Sequence, residues 1–183
     1  MQVNRRTVLK QFVMLSAGAA LIPSCMQNKS KASIILKNLQ IDNDQERLMA
    51  ELTETIIPAS DTPGAKDISA HLFALKMVDD CFSKEDQVRF TSGLALFDKT
   101  VKDRQGRSFI ECSPGQRSAA LTQLESEKDS KDPRHFFYAT TKDLTIQAYT
   151  TSQFYLTKVV VYELVPARYH GCVPVTSVGK KAS

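Results

Sequence analysis

The chain has 183 residues, of which 42% are hydrophobic and 24% charged, and a formal net charge of +4. This length suits one domain with its own hydrophobic core, and the composition argues against a disordered chain and a multi-span membrane protein. Much of the charge lies at the start, because residues 1–24 hold Arg5, Arg6 and Lys10 and no acidic residue. The remainder, with 21 basic residues against 20 acidic ones, has no basic stripe with interleaved aromatic residues, which argues against nucleic-acid binding.

Residues 1–24 have the order of a signal peptide. Arg5 and Arg6 form a basic start, and an apolar run follows at residues 12–22. This run is well short of the roughly 20 residues that a membrane-spanning helix needs, so it predicts a removed targeting segment rather than part of the fold. Adjacent arginines followed by Thr-Val-Leu-Lys and a run rich in Gly and Ala are typical of the twin-arginine (Tat) export signal.

The signal ends in a pattern that predicts lipidation. Residues 21–25, Leu-Ile-Pro-Ser-Cys, resemble a bacterial lipobox, in which cleavage precedes the cysteine and Cys25 carries the lipid. Several acyl chains would anchor the protein stably in the cell envelope, facing the periplasm. Pro23 departs from the small residue usual at its position, and an ordinary signal peptide with an unrelated cysteine is the alternative. Residues 25–42 are then predicted to be a polar tether, and residues 43–183 the folded domain.

Two helices are predicted in the first part of this domain. Asn43 and Glu46 fit a capping box at the start of the first helix, and Pro58 ends it. The second helix is expected to begin at Asp67 and to reach Phe82. Their apolar faces recur at helical spacing and hold Leu48, Leu52, Ile56, Ile68, Leu72 and Leu75.

Three further helices follow, each with a start signal: Ser83, Ser113-Pro114 and Asp132-Pro133. Gly106 breaks the chain after the first of them. Their core positions are expected to be Phe90, Leu94, Phe97, Val101, Leu121, Leu124, Phe137, Thr141, Leu144 and Ala148. Residues 154–165 fit either buried helix or strand, and the end of the chain is irregular. The fold class is therefore predicted to be all-α, a small bundle of about five to six helices with an irregular extended C-terminal segment.

No constellation typical of an enzyme occurs in the chain. It has no dinucleotide-binding, phosphate-binding or zinc-protease motif, and no haem-attachment or thioredoxin-like cysteine pair. His71 is expected to be a hydrogen-bonded core histidine rather than a metal ligand, and Asp79 and Asp80 point in different directions on one helix, unlike an acid–base pair. The sequence thus predicts no catalytic, cofactor-binding or metal site.

The cysteines leave several pairings open. With Cys25 lipidated, an odd number remains for an exported, oxidising setting: Cys81, Cys112 and Cys172. One bridge with one spare thiol is the simplest arrangement, and Cys81 with Cys172 is the favoured pair. Cys112 is then spare or pairs between subunits. The alternatives are that Cys172 or Cys112 pairs with another polypeptide, or that all three are free and buried.

Several segments together resemble the gluconate 2-dehydrogenase subunit 3 family. The longest is AELTETIIPASDTPGA at residues 50–65. The others are DCFS at 80–83, FTSGL at 90–94, residues 144–152 and PARYHGCVP at 166–174. The resemblance runs from about residue 48 to residue 174, and it departs from the family only locally, where Ala167 replaces a common glycine.

The resemblance implies a non-catalytic small subunit of an exported flavin dehydrogenase complex. A large subunit similar to glucose-methanol-choline oxidoreductases would hold FAD and oxidise a sugar, gluconate or a glycoside, and a cytochrome c with haem c is a candidate third subunit. Because Tat carries folded proteins, a small subunit with the twin-arginine signal could escort its folded partner. The alternative is a stand-alone envelope lipoprotein that acts as a binding module.

Overall fold

The computed structural model describes residues 32–127, 131–160 and 172. All regular structure within these ranges is helical, and none of it is β-strand, which confirms the predicted all-α bundle. The α-helices are α1 (Asn43–Ile56), α2 (Ala70–Cys81), α3 (Lys84–Gln105), α4 (Pro114–Ser126) and α5 (Pro133–Thr150), with a 3₁₀ turn at Phe109–Glu111 and a π-helical turn at Tyr155–Val159. No helix in the described part of the chain has both the length and the apolar character needed to cross a membrane.

Local hydrogen bonds set most of the helix boundaries. Ser83, Ser113 and Asp132 are the N-caps of α3, α4 and α5, and each side chain accepts a backbone N–H from the first turn of its helix. Gly106 ends α3 in the left-handed conformation, with φ of 71°, which costs glycine little. All four boundaries agree with the sequence prediction.

The cap of α1 differs from the prediction by one residue. The capping box joins Asp42 and Gln45, with the Gln45 N–H on Asp42 Oδ1 at 2.9 Å and the Asp42 N–H on Gln45 Oε1 at 3.0 Å. The predicted pair was Asn43 and Glu46. Glu46 therefore takes no part in the cap. Its side chain is buried instead, with 8% of the residue exposed.

The core is centred on the pairing of α3 with α5. Phe90 and Phe97 on α3 are almost fully buried, and their ring centroids lie 5.1 and 5.8 Å from that of Phe137 on α5. Gly93 lies between them, where the two helices approach most closely. A Cβ on Gly93 would lie 2.2 Å from the carbonyl oxygen of Pro133, so this contact excludes any side chain.

Residues 32–41 are packed against the bundle, although they fall within the predicted polar tether. Leu39 and Ile41 belong to the buried core, and Ala32, Ile34 and Leu36 pack against it. This segment is called the strap below. Its apolar residues, with Ile34, Ile35 and Leu36 in a row, follow no helical period, so periodicity does not reveal its place in the core. Residues 25–31 of the predicted tether lie outside the described residues.

Candidate functional site

The connection between α1 and α2 is exposed, but its backbone is held in place. This α1–α2 loop comprises residues 57–69, and its residues 58–62 are exposed. Glu54, near the end of α1, accepts the N–H of Ala59 at Oε1 and the N–H of Lys66 at Oε2, each at 2.9 Å. One carboxylate therefore joins an early and a late position of the loop, Ala59 and Lys66.

Gly64 is the point at which the loop passes closest to α1. A Cβ there would lie 2.5 Å from both carboxylate oxygens of Glu54, so a side chain would displace that carboxylate. The N–H of Gly64 donates to Oδ2 of Asp67 at 2.9 Å. Asp67 thus closes the loop instead of beginning α2 as predicted, and α2 begins at Ala70 after Ser69 adopts a left-handed φ of 58°.

The far side of the loop is attached to α5. The hydroxyl of Tyr149 donates to the carbonyl oxygen of Pro63 at 3.0 Å. Beneath the loop, Ala65 and Ala70 are fully buried and form a small apolar cluster with Ala148 of α5. The loop is therefore held by hydrogen bonds at its edges and by apolar packing below, while its tip faces solvent.

An open groove lies beside the loop. Apolar and polar residues both line it, among them Ile68, Phe73, Ala148, Thr151, Ser152 and Phe154. Among the described residues that line the groove, Asp67 alone has an ionisable side chain, and it already accepts the N–H of Gly64. This surface can bury a complementary apolar side chain and accept hydrogen bonds, but it presents no general acid–base pair.

The histidine and carboxylates considered from the sequence occupy separate places. His71 is half-buried and burial lowers its pKa, and its Nδ1 has no hydrogen-bond partner among the residues that the structure describes. Asp79 is fully buried and Asp80 is exposed, as expected for neighbours on one helix. Among the residues that the structure describes, no three His, Cys, Asp or Glu side chains lie together in a way that could hold a metal ion.

A family model described as gluconate 2-dehydrogenase subunit 3 matches residues 43–167. The chain belongs to the gluconate 2-dehydrogenase subunit 3 family. The match contains all five α-helices, the α1–α2 loop and the groove, and it confirms the resemblance found in the sequence. No curated protein and no solved structure shows significant similarity to the chain. As a gluconate 2-dehydrogenase subunit 3 protein, the chain is an accessory subunit of a dehydrogenase complex.

Within this subunit 3 fold, the predicted disulfide is not formed. Cys81 and Cys172 are free and exposed, and Cys112 is free and buried, with 4% of it accessible. Burial also raises the pKa of the Cys112 thiol, which disfavours the reactive thiolate. The structure therefore leaves Cys81 and Cys172, rather than Cys112, accessible to another polypeptide. Arg5, Arg6 and Cys25 lie outside the described residues.

In this subunit 3 protein, the role of Glu54 in holding the α1–α2 loop can be tested by substitution. Replacing Glu54 with alanine leaves the N–H groups of Ala59 and Lys66 without their acceptor, so the free energy of unfolding should fall by about 1–2 kcal/mol. Both amides should also exchange with solvent faster, as measured by hydrogen exchange. Glu54→Gln is the control, because it keeps one acceptor oxygen and should give a smaller change. Unaltered exchange in Glu54→Ala would contradict the bridging role.

Proposed function

We propose that this chain is the non-catalytic small subunit of an exported, membrane-tethered, FAD-dependent dehydrogenase complex that oxidises a sugar, gluconate or a glycoside. The observation that carries the proposal is the family match over residues 43–167. The order of the N-terminal segment, with paired arginines, a short apolar run and a lipobox-like cysteine, supports export by Tat and anchoring through Cys25.

The proposal divides the work between subunits. A glucose-methanol-choline-type partner supplies FAD and substrate oxidation, and a cytochrome c or another acceptor receives the electrons. The present chain holds the folded partner, carries the export signal through Arg5 and Arg6, and ties the complex to the envelope. These tasks need a stable docking surface and an export signal rather than a reactive side chain.

We assign the contact with the catalytic subunit to the α1–α2 loop and the adjoining groove. The side chains at the loop tip are exposed, yet the backbone beneath them is held by Glu54, Asp67 and Tyr149. A surface whose backbone is ordered before binding loses less conformational entropy when a partner docks. The groove adds apolar area next to the polar tip, as is common in protein interfaces.

The test is a pull-down in mild detergent of the tagged mature chain from its native membrane, with a visible spectrum of the product. We expect a larger flavoprotein to co-purify. Ala59→Arg, at the exposed loop tip, should reduce its recovery at least tenfold, because a long charged side chain would be placed in the interface. Ala95→Arg is the matched control. Ala95 is also exposed, but it lies on α3, two residues after Gly93, where α3 contacts the start of α5.

Two outcomes would contradict these assignments. A wild-type chain that purifies as a stable monomer without any flavoprotein would favour a stand-alone lipoprotein binding module. Full recovery of the flavoprotein by Ala59→Arg would place the contact elsewhere on the subunit.

A further inference from the structure

The strap is held at its beginning by a buried carboxylate of α1. Glu46 is 8% exposed, and its Oε2 accepts the backbone N–H of Ser33 while its Oε1 accepts the Ser33 hydroxyl, both at 2.6 Å. A buried carboxylate needs such donors, because its charge is otherwise costly to remove from water. Ser33 satisfies both oxygens of Glu46.

The middle of the strap is held by a buried carboxylate of α2. Asp79 is fully buried, and its Oδ2 accepts the N–H of Lys37 at 2.8 Å. Its Oδ1 accepts the N–H groups of Asn38 at 2.7 Å and Leu39 at 2.8 Å. Burial alone would raise the pKa of Asp79, but these backbone donors outweigh it and the pKa lies below its ordinary value.

Two side-chain amides also donate to the backbone carbonyl group of Asp79. Asn38 donates through Nδ2 to the carbonyl oxygen of Asp79 at 2.7 Å, and Gln87 of α3 donates through Nε2 to the same oxygen at 2.9 Å. The ammonium group of Lys84 contacts Oδ1 of Asn38. The strap, α2 and α3 therefore meet at one polar junction.

We propose that the strap is a latch that closes only on the folded bundle and fixes where the N-terminal segment leaves the domain. Its two carboxylate acceptors lie on different helices, α1 and α2, and its apolar residues are buried in the core that those helices share. Neither helix alone offers both acceptors together with this core. Closure of the strap is therefore a direct consequence of bundle assembly.

The latch shortens the connection between the N-terminal segment and the domain. With the strap closed, seven residue steps separate Cys25 from Ala32, which span at most about 25 Å when fully extended. With the strap open, the chain is free as far as Asp42, and the same estimate gives roughly 60 Å. The use of this constraint rests on the proposed function: it limits the length of free chain between the lipid on Cys25 and a folded subunit.

The test is limited trypsin digestion of the isolated full chain, because Lys37 is the only basic residue of the strap. In the wild type, the Lys37–Asn38 bond should be protected, since the N–H groups of both residues are bound to Asp79. Asp79→Asn replaces one acceptor oxygen with a donor amide, and cleavage there should rise at least tenfold. Asp80→Asn is the matched control, because the neighbouring carboxylate is exposed and pairs with Lys76, and it should not alter the rate.

A second measurement needs no variant. In the wild type, the amides of Lys37, Asn38 and Leu39 should exchange with solvent at least a hundredfold more slowly than in an unstructured peptide. Exchange at the unstructured rate would overturn the proposal. So would equal cleavage of Asp79→Asn and Asp80→Asn when circular dichroism shows both to be folded. Both measurements use the chain without a partner, so a failed pull-down would leave the latch standing.

Discussion

Replacing Gly93 with alanine is expected to lower the free energy of unfolding by about 3 kcal/mol, because the added methyl group has no space. It would lie 2.2 Å from the carbonyl oxygen of Pro133 and 2.6 Å from Cβ of Phe137. Both neighbours belong to α5, so relief requires the two central helices to move apart and loosens the packing of Phe90. Urea unfolding followed by circular dichroism measures the change.

Gly115→Ala is the control for this prediction. Gly115 lies in the first turn of α4, and a Cβ there would meet no described atom within 4 Å other than those of its own helix turn. Alanine favours helix more than glycine does, so this variant should be neutral or slightly stabilising. Equal stability of the Gly93 and Gly115 variants would contradict the close approach of α3 and α5.

The second large effect is expected on export. Changing Arg5 and Arg6 together to lysine should leave the dehydrogenase activity of the complex in the cytoplasm, because the Tat machinery recognises the arginine pair rather than its charge. The bundle itself is unaltered, so the cytoplasmic subunits should still co-purify. Activity and an immunoblot of the flavoprotein in periplasmic and cytoplasmic fractions measure the effect.

Lysine-to-arginine changes at Lys29 and Lys31 form the matched control, since they conserve charge outside the arginine pair. We expect this control to export normally. If the arginine variant also delivered wild-type activity to the periplasm, the escort role would be refuted even though the family assignment would stand.

The helices of this protein could be predicted because their signals are local. Ser83, Ser113 and Asp132 each cap the helix that follows them directly, and the spacing of Phe90 and Phe97 places both on one face. These relations involve residues within a few turns of each other, and they depend little on the rest of the chain. The same locality explains the predicted core.

The hydrogen bonds that hold the loop and the strap could not be predicted, because the bonded residues are distant in sequence or lack a motif. Asp79 binds backbone groups about 40 residues earlier in the chain, and periodicity carries no information about such a pairing. From the sequence, Asp79 and Asp80 could be excluded as an acid–base pair, but the backbone partners of Asp79 could not be named. Glycine is unfavourable inside a helix, and only the position of α5 explains why Gly93 is suited to its place in α3.

The exposed thiol of Cys81 offers a natural labelling position. It is the last residue of α2, two positions after Asp79. Cys112 is buried and its pKa is raised, so a maleimide dye or nitroxide should react preferentially with the exposed thiols of Cys81 and Cys172. A single label at Cys81, with Cys25 and Cys172 replaced by serine, would place a spectroscopic reporter beside the junction of the strap with α2. Subunit assembly could then be followed optically without altering a contact of the core.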